Sequence, residues 1–223
     1  MSSSKRIRID GEKSRERVLE SAIRLAAIEG LERLSLSRLA KAAGLSKSGL
    51  FGLFGSKEDL QFAIIDKARE VFTHEVVMPA LAAPEGAPRL HALCEGYLDH
   101  IAFREWPSGC FFASVAAEVG GRPGPIRDRV AKDQKRWASL LRQSATRAAE
   151  LGQLRSEESP EQLAFELGAM LTGADIVYLL HRDPEILERV RSALQARLGV
   201  LAAETGRSTC SSPPTPARSV DQS

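Results

Sequence analysis

Apolar residues recur along most of this chain at intervals of three and four, the spacing that collects them on one face of an α-helix. The first such run extends from about Glu12 to Glu29. Val18, Leu19, Ala22, Ile23, Leu25 and Ala26 form its apolar stripe, and Gly30 ends it. Ser35 stands where it can cap a second, short helix through Ala43 that Gly44 closes, and Ser46 can cap a third through Phe54. The pattern Ser56-x-x-Asp59 opens a fourth helix, predicted to reach about Val77 and stop before Pro79. Past a loop rich in Pro and Ala, helices are predicted over about 89–104 and 110–119. After the break at "GGRPGP", a long helix runs to about Leu151, ended by Gly152. Ser159-Pro160 and Asp183-Pro184 each place a capping side chain before a proline at the first helical position, so two further helices are predicted over 160–181 and 184–204. The pattern predicts an all-α chain of about nine helices with no strand. Residues 1–11 read as a flexible basic arm, and residues 206–223, rich in Pro and Ser, as a disordered tail.

The segment Leu36 to Phe54 is too short to bury itself and must lean on its neighbours. Leu39, Ala40, Ala43, Leu45, Leu50 and Phe54 would form its inner side, with the small Ala40 where two helices cross and Gly44 supplying the positive φ of a tight turn. This is the pattern of a helix-turn-helix, a unit spanning residues 12–56 once the first helix is included. Its third helix would turn Ser46, Lys47, Ser48, Gly49 and Gly52 outward. Small residues there let the backbone approach a partner closely. Lys47 and the positive end of the helix dipole suit phosphate. A plain helical hairpin is the alternative.

The distribution of charge suggests that a polyanion contacts the N-terminal end. Residues 1–60 hold 12 Lys and Arg against 8 Asp and Glu, a net of +4, while residues 61–223 carry −2. Three cysteines at wide spacing, Cys94, Cys110 and Cys210, form neither a disulfide framework nor a zinc pattern, and no metal or cofactor is expected. His91, Glu95 and Asp99 recur every four residues, and a solvated helix face is the favoured reading over a metal site. No apolar run approaches the ~18 residues of a membrane span, and the polar N-terminus lacks the apolar core of a secretory signal. A cytoplasmic protein without a membrane partner is expected.

The stretch "RERVLESAIRLAAIEGLERLSLSRLAKAAGLSKSGLFGLFGSKEDL" resembles the DNA-binding domain of the tetracycline-repressor family of transcriptional regulators. The resemblance covers about residues 14–60. It implies a homodimer on a double-stranded, palindromic operator, each subunit carrying a DNA-binding head and, over residues 57–205, a helical body for dimerisation and small-molecule binding. By position, Lys47, Ser48 and Gly49 fall where family members touch bases or backbone, and Lys57 where a lysine grips phosphate. Phe51 replaces a common tyrosine and keeps only apolar contact. Leu53 replaces a common histidine. Arg38, Ser46 and Gly52 complete the candidate DNA-binding set. Direct base readout looks thin, so DNA shape and the basic arm are expected to contribute to specificity.

The same resemblance places a ligand pocket in the body, for a small apolar effector. Tyr97, Phe103, Trp106, Cys110, Phe111 and Phe112 around the turn "WPSG", with Met170, Asp175 and Tyr178, are the candidates to line it. Core packing is the competing reading for each aromatic, a structural hydrogen bond for Asp175, and an inert buried thiol for Cys110. Helix 160–181 is apolar nearly all round, as for a helix covered on every side. Dimerisation is expected to use Ala164, Gly168 and Ala174 from it, with Ile186, Val190, Ala193, Leu194, Leu198 and Leu201 from the last helix. Packing within one subunit is the alternative. The function that follows is a ligand-relieved repressor. Its rivals are a ligand-independent architectural DNA-binder and a helical enzyme. No phosphate loop, zinc-binding His pair or facing carboxylate pair supports the last.

Overall fold

The computed structural model describes residues 3–102, 109–155 and 157–205, with side-chain surroundings for those between 11 and 198. Among them all regular structure is helical: α1 Ser3–Glu29, α2 Leu36–Ala42, α3 Lys47–Phe54, α4 Lys57–Phe72, α5 Met78–Leu81, α6 Ala87–Ala102, α7 Phe111–Val119, α8 Pro125–Glu150, α9 Pro160–His181 and α10 Pro184–Thr205. A π-helical turn, Thr73–Val77, joins α4 to α5 without a break. These three therefore count as one rod, and the described residues hold nine rods.

Capping follows the sequence. The Ser35, Ser46, Ser56 and Ser159 hydroxyls accept the amides of Arg38, Gly49, Asp59 and Gln162. Gly44, at φ +68°, lets Leu45 N–H reach the Ala40 carbonyl at 2.8 Å and its own N–H reach that of Lys41 at 3.2 Å. This paired closure turns the chain sharply from α2 into α3.

Two boundaries differ from expectation. The helix begun near Glu12 starts at Ser3, so residues 3–10, read as a flexible arm, continue α1. Lys5, Arg6 and Arg8 are good helix formers, and no proline interrupts residues 3–12. The rod expected to end before Pro79 continues through it to Leu81. Pro79 falls in the first turn of α5, where its missing N–H costs least, and the wide turn before it makes room for its ring. The tail 206–223 lies outside the described residues.

Val18, Ala22, Leu31, Leu39, Leu50, Leu60 and Ile64 form the head's core, where α1 packs on α2 and α4, and α3 fits between α2 and α4. In the body α8 and α9 pack along each other, with α6 against both and α10 against α6 and α9. Leu90, Leu93, Leu98, Leu141, Leu163, Leu167 and Leu171 are fully or almost fully buried there. By length and hydropathy α9 could cross a membrane, but one side of it is packed into this core. His91, Glu95 and Asp99 are not simply a solvated face. Arg191 of α10 reaches Glu95 at 2.8 Å and Asp99 at 2.6 Å, clamping α6 to α10.

Candidate nucleic-acid interface and ligand cavity

Helix α3 buries Leu50 and Phe54 against the head core and leaves Ser46, Lys47, Ser48, Phe51 and Gly52 on the surface, with Gly49 half-buried. Arg38 and Lys57 are exposed beside it. The eight candidate DNA-binding residues thus lie at the surface on or beside the second and third helices of a helix-turn-helix. Phe51 keeps 39% of its surface exposed, unusual for a ring with a buried core one turn away. Several of them are engaged within the head. Arg38 pairs with Glu29 at 2.7 Å, and Ser46 and Ser48 share a hydroxyl hydrogen bond at 3.0 Å. Lys57 Nζ donates to the Glu32 carbonyl at 2.7 Å. That bond ties the start of α4 to the turn after α1.

The body encloses a cavity of about 390 Å³ between α4, the π-helical turn, α6, α7, α8 and α9, a size usual for small-molecule sites. Of the predicted lining residues, Tyr97, Cys110 and Phe112 face it. Phe111 is buried edge-on against Phe112 at 5.4 Å but does not line it. Met170 and Tyr178 also lie off its wall, Tyr178 beneath the Arg182 guanidinium. Asp175, buried and off the cavity wall, accepts the Cys110 amide at 2.9 Å and so fixes the start of α7. Phe103 and Trp106 lie outside the described residues.

Sequence reasoning missed much of the wall. Arg69 and Phe72 come from α4, Thr73 and Val77 from the π-helical turn, and Asp133, Gln134, Arg136, Trp137 and Gln143 from α8. Phe72 stands edge-on to Trp137 at 5.2 Å, Tyr97 at 6.1 Å and Phe112 at 6.3 Å, and Tyr97 stacks on Trp137 at 5.8 Å. Phe72 and Trp137 fall in phase with the buried stripes of their helices, Ile65 and Ala68 in α4 and Val130 and Leu141 in α8, so the period alone assigns them to the core and gives no reason to single them out. Burial pushes the Tyr97 phenol well above its ordinary pKa and raises that of the Cys110 thiol, so both stay protonated at neutral pH.

The π-helical turn is pinned from α6. His100 and Glu75 share a hydrogen bond at 2.7 Å, and His100 lies edge-on to Phe72 at 5.2 Å. Helix α7 provides a second tie. It starts at the cavity with Phe112 and Ala113, and its Glu118 carboxylate accepts the head amides of Leu31 at 2.7 Å and Glu32 at 3.1 Å. Gly30 sits at φ +91°, a conformation strained for any other residue, and a Cβ there would also lie 2.5 Å from Glu118 Oε1 and push the carboxylate off its two amides. Arg122, just past α7, pairs with Glu32 at 2.8 Å.

The expected dimer residues divide. Ala164, Ala174, Leu194 and Leu198 are buried within the subunit, on the inward stripe of their helices. Gly168, Ile186 and Val190 are half-buried and Ala193 is exposed, while the Leu201 side chain lies outside the described residues. The outward stripe of α9 is instead Phe165, Ile176, Val177 and Leu180, exposed by 70, 53, 41 and 72%. Helix α9 is apolar on both sides, so periodicity could not say which stripe points in.

Residues 18–64 match the family model described as "Bacterial regulatory proteins, tetR family", and residues 86–194 that described as "Tetracyclin repressor-like, C-terminal domain". The HTH-type transcriptional repressor NemR of Escherichia coli K12 is 27% identical over 177 residues, 78% of this chain and 88% of its own. A TetR transcriptional regulator from Chloroflexus aurantiacus superimposes with a TM-score of 0.78 at 23% identity, over 85% of this chain and 96% of its own. AibR, solved in complex with isovaleryl coenzyme A and operator DNA, superimposes with a TM-score of 0.66 at 22% identity, over 85% and 98%.

Proposed function

The chain belongs to the tetracycline-repressor family of transcriptional regulators, and from that premise we propose that it is a homodimeric cytoplasmic repressor which leaves its operator when a small, largely apolar molecule fills the cavity between α4 and α9. It is a sequence-specific DNA-binding regulator and not an enzyme. A continuous rod supports the ligand-relieved mechanism above all. It starts at Lys57 beside α3, and its Arg69, Phe72, Thr73 and Val77 form one wall of the cavity. A molecule that displaces Phe72 or widens the wall tilts this rod, and with it α3. In a dimer that changes the spacing of two reading helices set for half-sites about one DNA turn apart.

Phosphate contacts come from Lys57 and Arg38, and base or near-base contacts from Lys47, Ser48 and Gly49. Phe51 supplies an apolar surface suited to a thymine methyl group. The two-fold contact is made by the outward stripe of α9 with the exposed side of α10. Four large apolar side chains open to water on one helix face are a surface that a second copy would cover. AibR is a fold neighbour in which one protein holds both an effector and an operator, the combination proposed for this chain. An effector acts only through its preference for the non-binding arrangement, and ~1.4 kcal/mol of preference gives a tenfold loss of operator affinity.

The test is selection of genomic fragments bound by the full-length protein, followed by gel shifts on the enriched site with and without candidate effectors. A specific complex that a cavity ligand dissolves is expected. Absence of any specific complex at moderate salt would overturn the reading.

A further inference from the structure

We propose that the molecule accepted by the cavity is an amphipathic anion: a flat or compact apolar body carrying a carboxylate or similar acid group, held by Arg136 and Arg69. This rests on the ligand-relieved reading above and names the chemistry of its effector. The balance of charge on the cavity wall carries it. Among the described residues lining the cavity, the charged ones are Arg69, Arg136 and Asp133. Asp133 is already engaged. Its side chain is only 4% exposed, and its Oδ1 accepts from Arg136 Nη1 at 2.7 Å and from Arg69 Nη1 at 3.5 Å. Its Oδ2 is buried without a hydrogen bond, 3.9 Å from Arg129 Nε, and lies out of reach of a ligand.

The second carboxylate nearby, Asp66, is occupied as well, by Arg69 at 2.8 Å and by Arg129. Three guanidiniums therefore surround two carboxylates and leave one positive charge in excess. On the cavity wall the guanidiniums are the accessible charged groups, with Arg136 53% and Arg69 33% exposed against 4% for Asp133, while Asp66, 46% exposed, lies off the wall. Guanidiniums keep their charge at any working pH and present several donors in one plane, a fit for a carboxylate. A cationic ligand meets the opposite situation. It would lie against the excess positive charge with no accessible carboxylate on the cavity wall, and the rings of Phe72, Tyr97 and Trp137 already pack on one another. Those rings and Phe112 line the same cavity and offer an apolar surface for the ligand's body.

The experiment is calorimetric titration of the full-length protein with three probes of one shape: 1-naphthoate, 1-naphthamide and 1-naphthylmethylammonium. Naphthoate is expected to bind roughly tenfold or more tighter than the amide, since a hydrogen bond to a charged group is stronger than a neutral one. The ammonium compound should be weakest. Arg136→Gln should bring naphthoate down to the level of the amide and leave the amide unchanged. Arg142→Gln, on an exposed part of α8 away from the wall, should change neither. Equal affinities across the series, a preference for the ammonium, or no binding of any probe would overturn the assignment. Gel shifts on the selected operator run alongside. If operator binding persists while the probes fail, the anion assignment falls and the DNA-binding reading stands. If no operator is found, calorimetry alone still decides the charge preference.

Discussion

Lys57 and Lys47 are both exposed cations at the tip of the head, yet they hold different positions. Lys57 Nζ is already bonded to the Glu32 carbonyl, so its ammonium is held at the turn between α1 and α2. Lys47 opens α3 and no bond fixes its reach toward a base edge. Lys57→Ala is expected to weaken binding to operator and random DNA alike, and to flatten the dependence of log affinity on log salt by about 0.9 for each phosphate no longer neutralised. Lys47→Ala should cost more on the operator than on random DNA. Equal losses would reassign Lys47 to the backbone. The cysteines give a second test at this scale. Burial raises the Cys94 thiol to about 12 from its ordinary 9.0, and raises Cys110 as well. A raised pKa in the fold means stability that is full below pH 9 and is lost as pH climbs toward the folded value. In a Cys210→Ser background, native protein at pH 7 should resist N-ethylmaleimide, and denatured protein should take two equivalents. Rapid native labelling would show that Cys110 is reached through the cavity.

Between elements, the contact that matters most is Glu118 of α7 on the amides of Leu31 and Glu32. Glu118→Ala leaves two amides without their acceptor and is expected to cost about 1–3 kcal/mol of stability, read by denaturant unfolding. It should also loosen the head, so that a cavity ligand releases operator less effectively. An unchanged response to ligand would leave the α4 rod as sufficient by itself. The helices themselves were legible from the sequence, because Ser caps, Pro starts and Gly stops are local signals, and so was the head, where every local signal agrees. The cavity wall was legible only in part. Tyr97, Cys110 and Phe112 stand out as aromatic or polarisable groups beside a turn, whereas Arg69, Asp133 and Arg136 sit in charged runs whose facing partners come from other helices. The π-helical turn left no pattern in the sequence beyond Pro79, and residues 3–10 carry no stop signal to separate an arm from a helix.

For the whole molecule, the proposed dimer turns on the outward stripe of α9. Phe165→Glu with Leu180→Glu should leave the subunit folded, since both side chains are mostly exposed. Sedimentation should then show a monomer, and operator affinity should fall steeply as the two linked half-site contacts separate. A dimer surviving both changes would move the interface elsewhere. The rod from Lys57 to Leu81 has a consequence of another kind. A π-helical turn closes over one residue more than an α-turn, so Thr73–Val77 holds a surplus residue within an otherwise α-helical path. A one-codon deletion is ordinarily ruinous in a helix, because it swings everything beyond it by about 100°. At the exposed His74 the same genetic lesion would instead turn the wide turn into an ordinary one and leave head and body in register. Loss of the codon for His74 should therefore give a folded, operator-binding protein, while loss of the codon for Phe62, in the uninterrupted part of α4, should give none. Thermal melting and gel shifts on the two deletion proteins would tell them apart, and equal damage from both would mean that the wide turn has no slack to give.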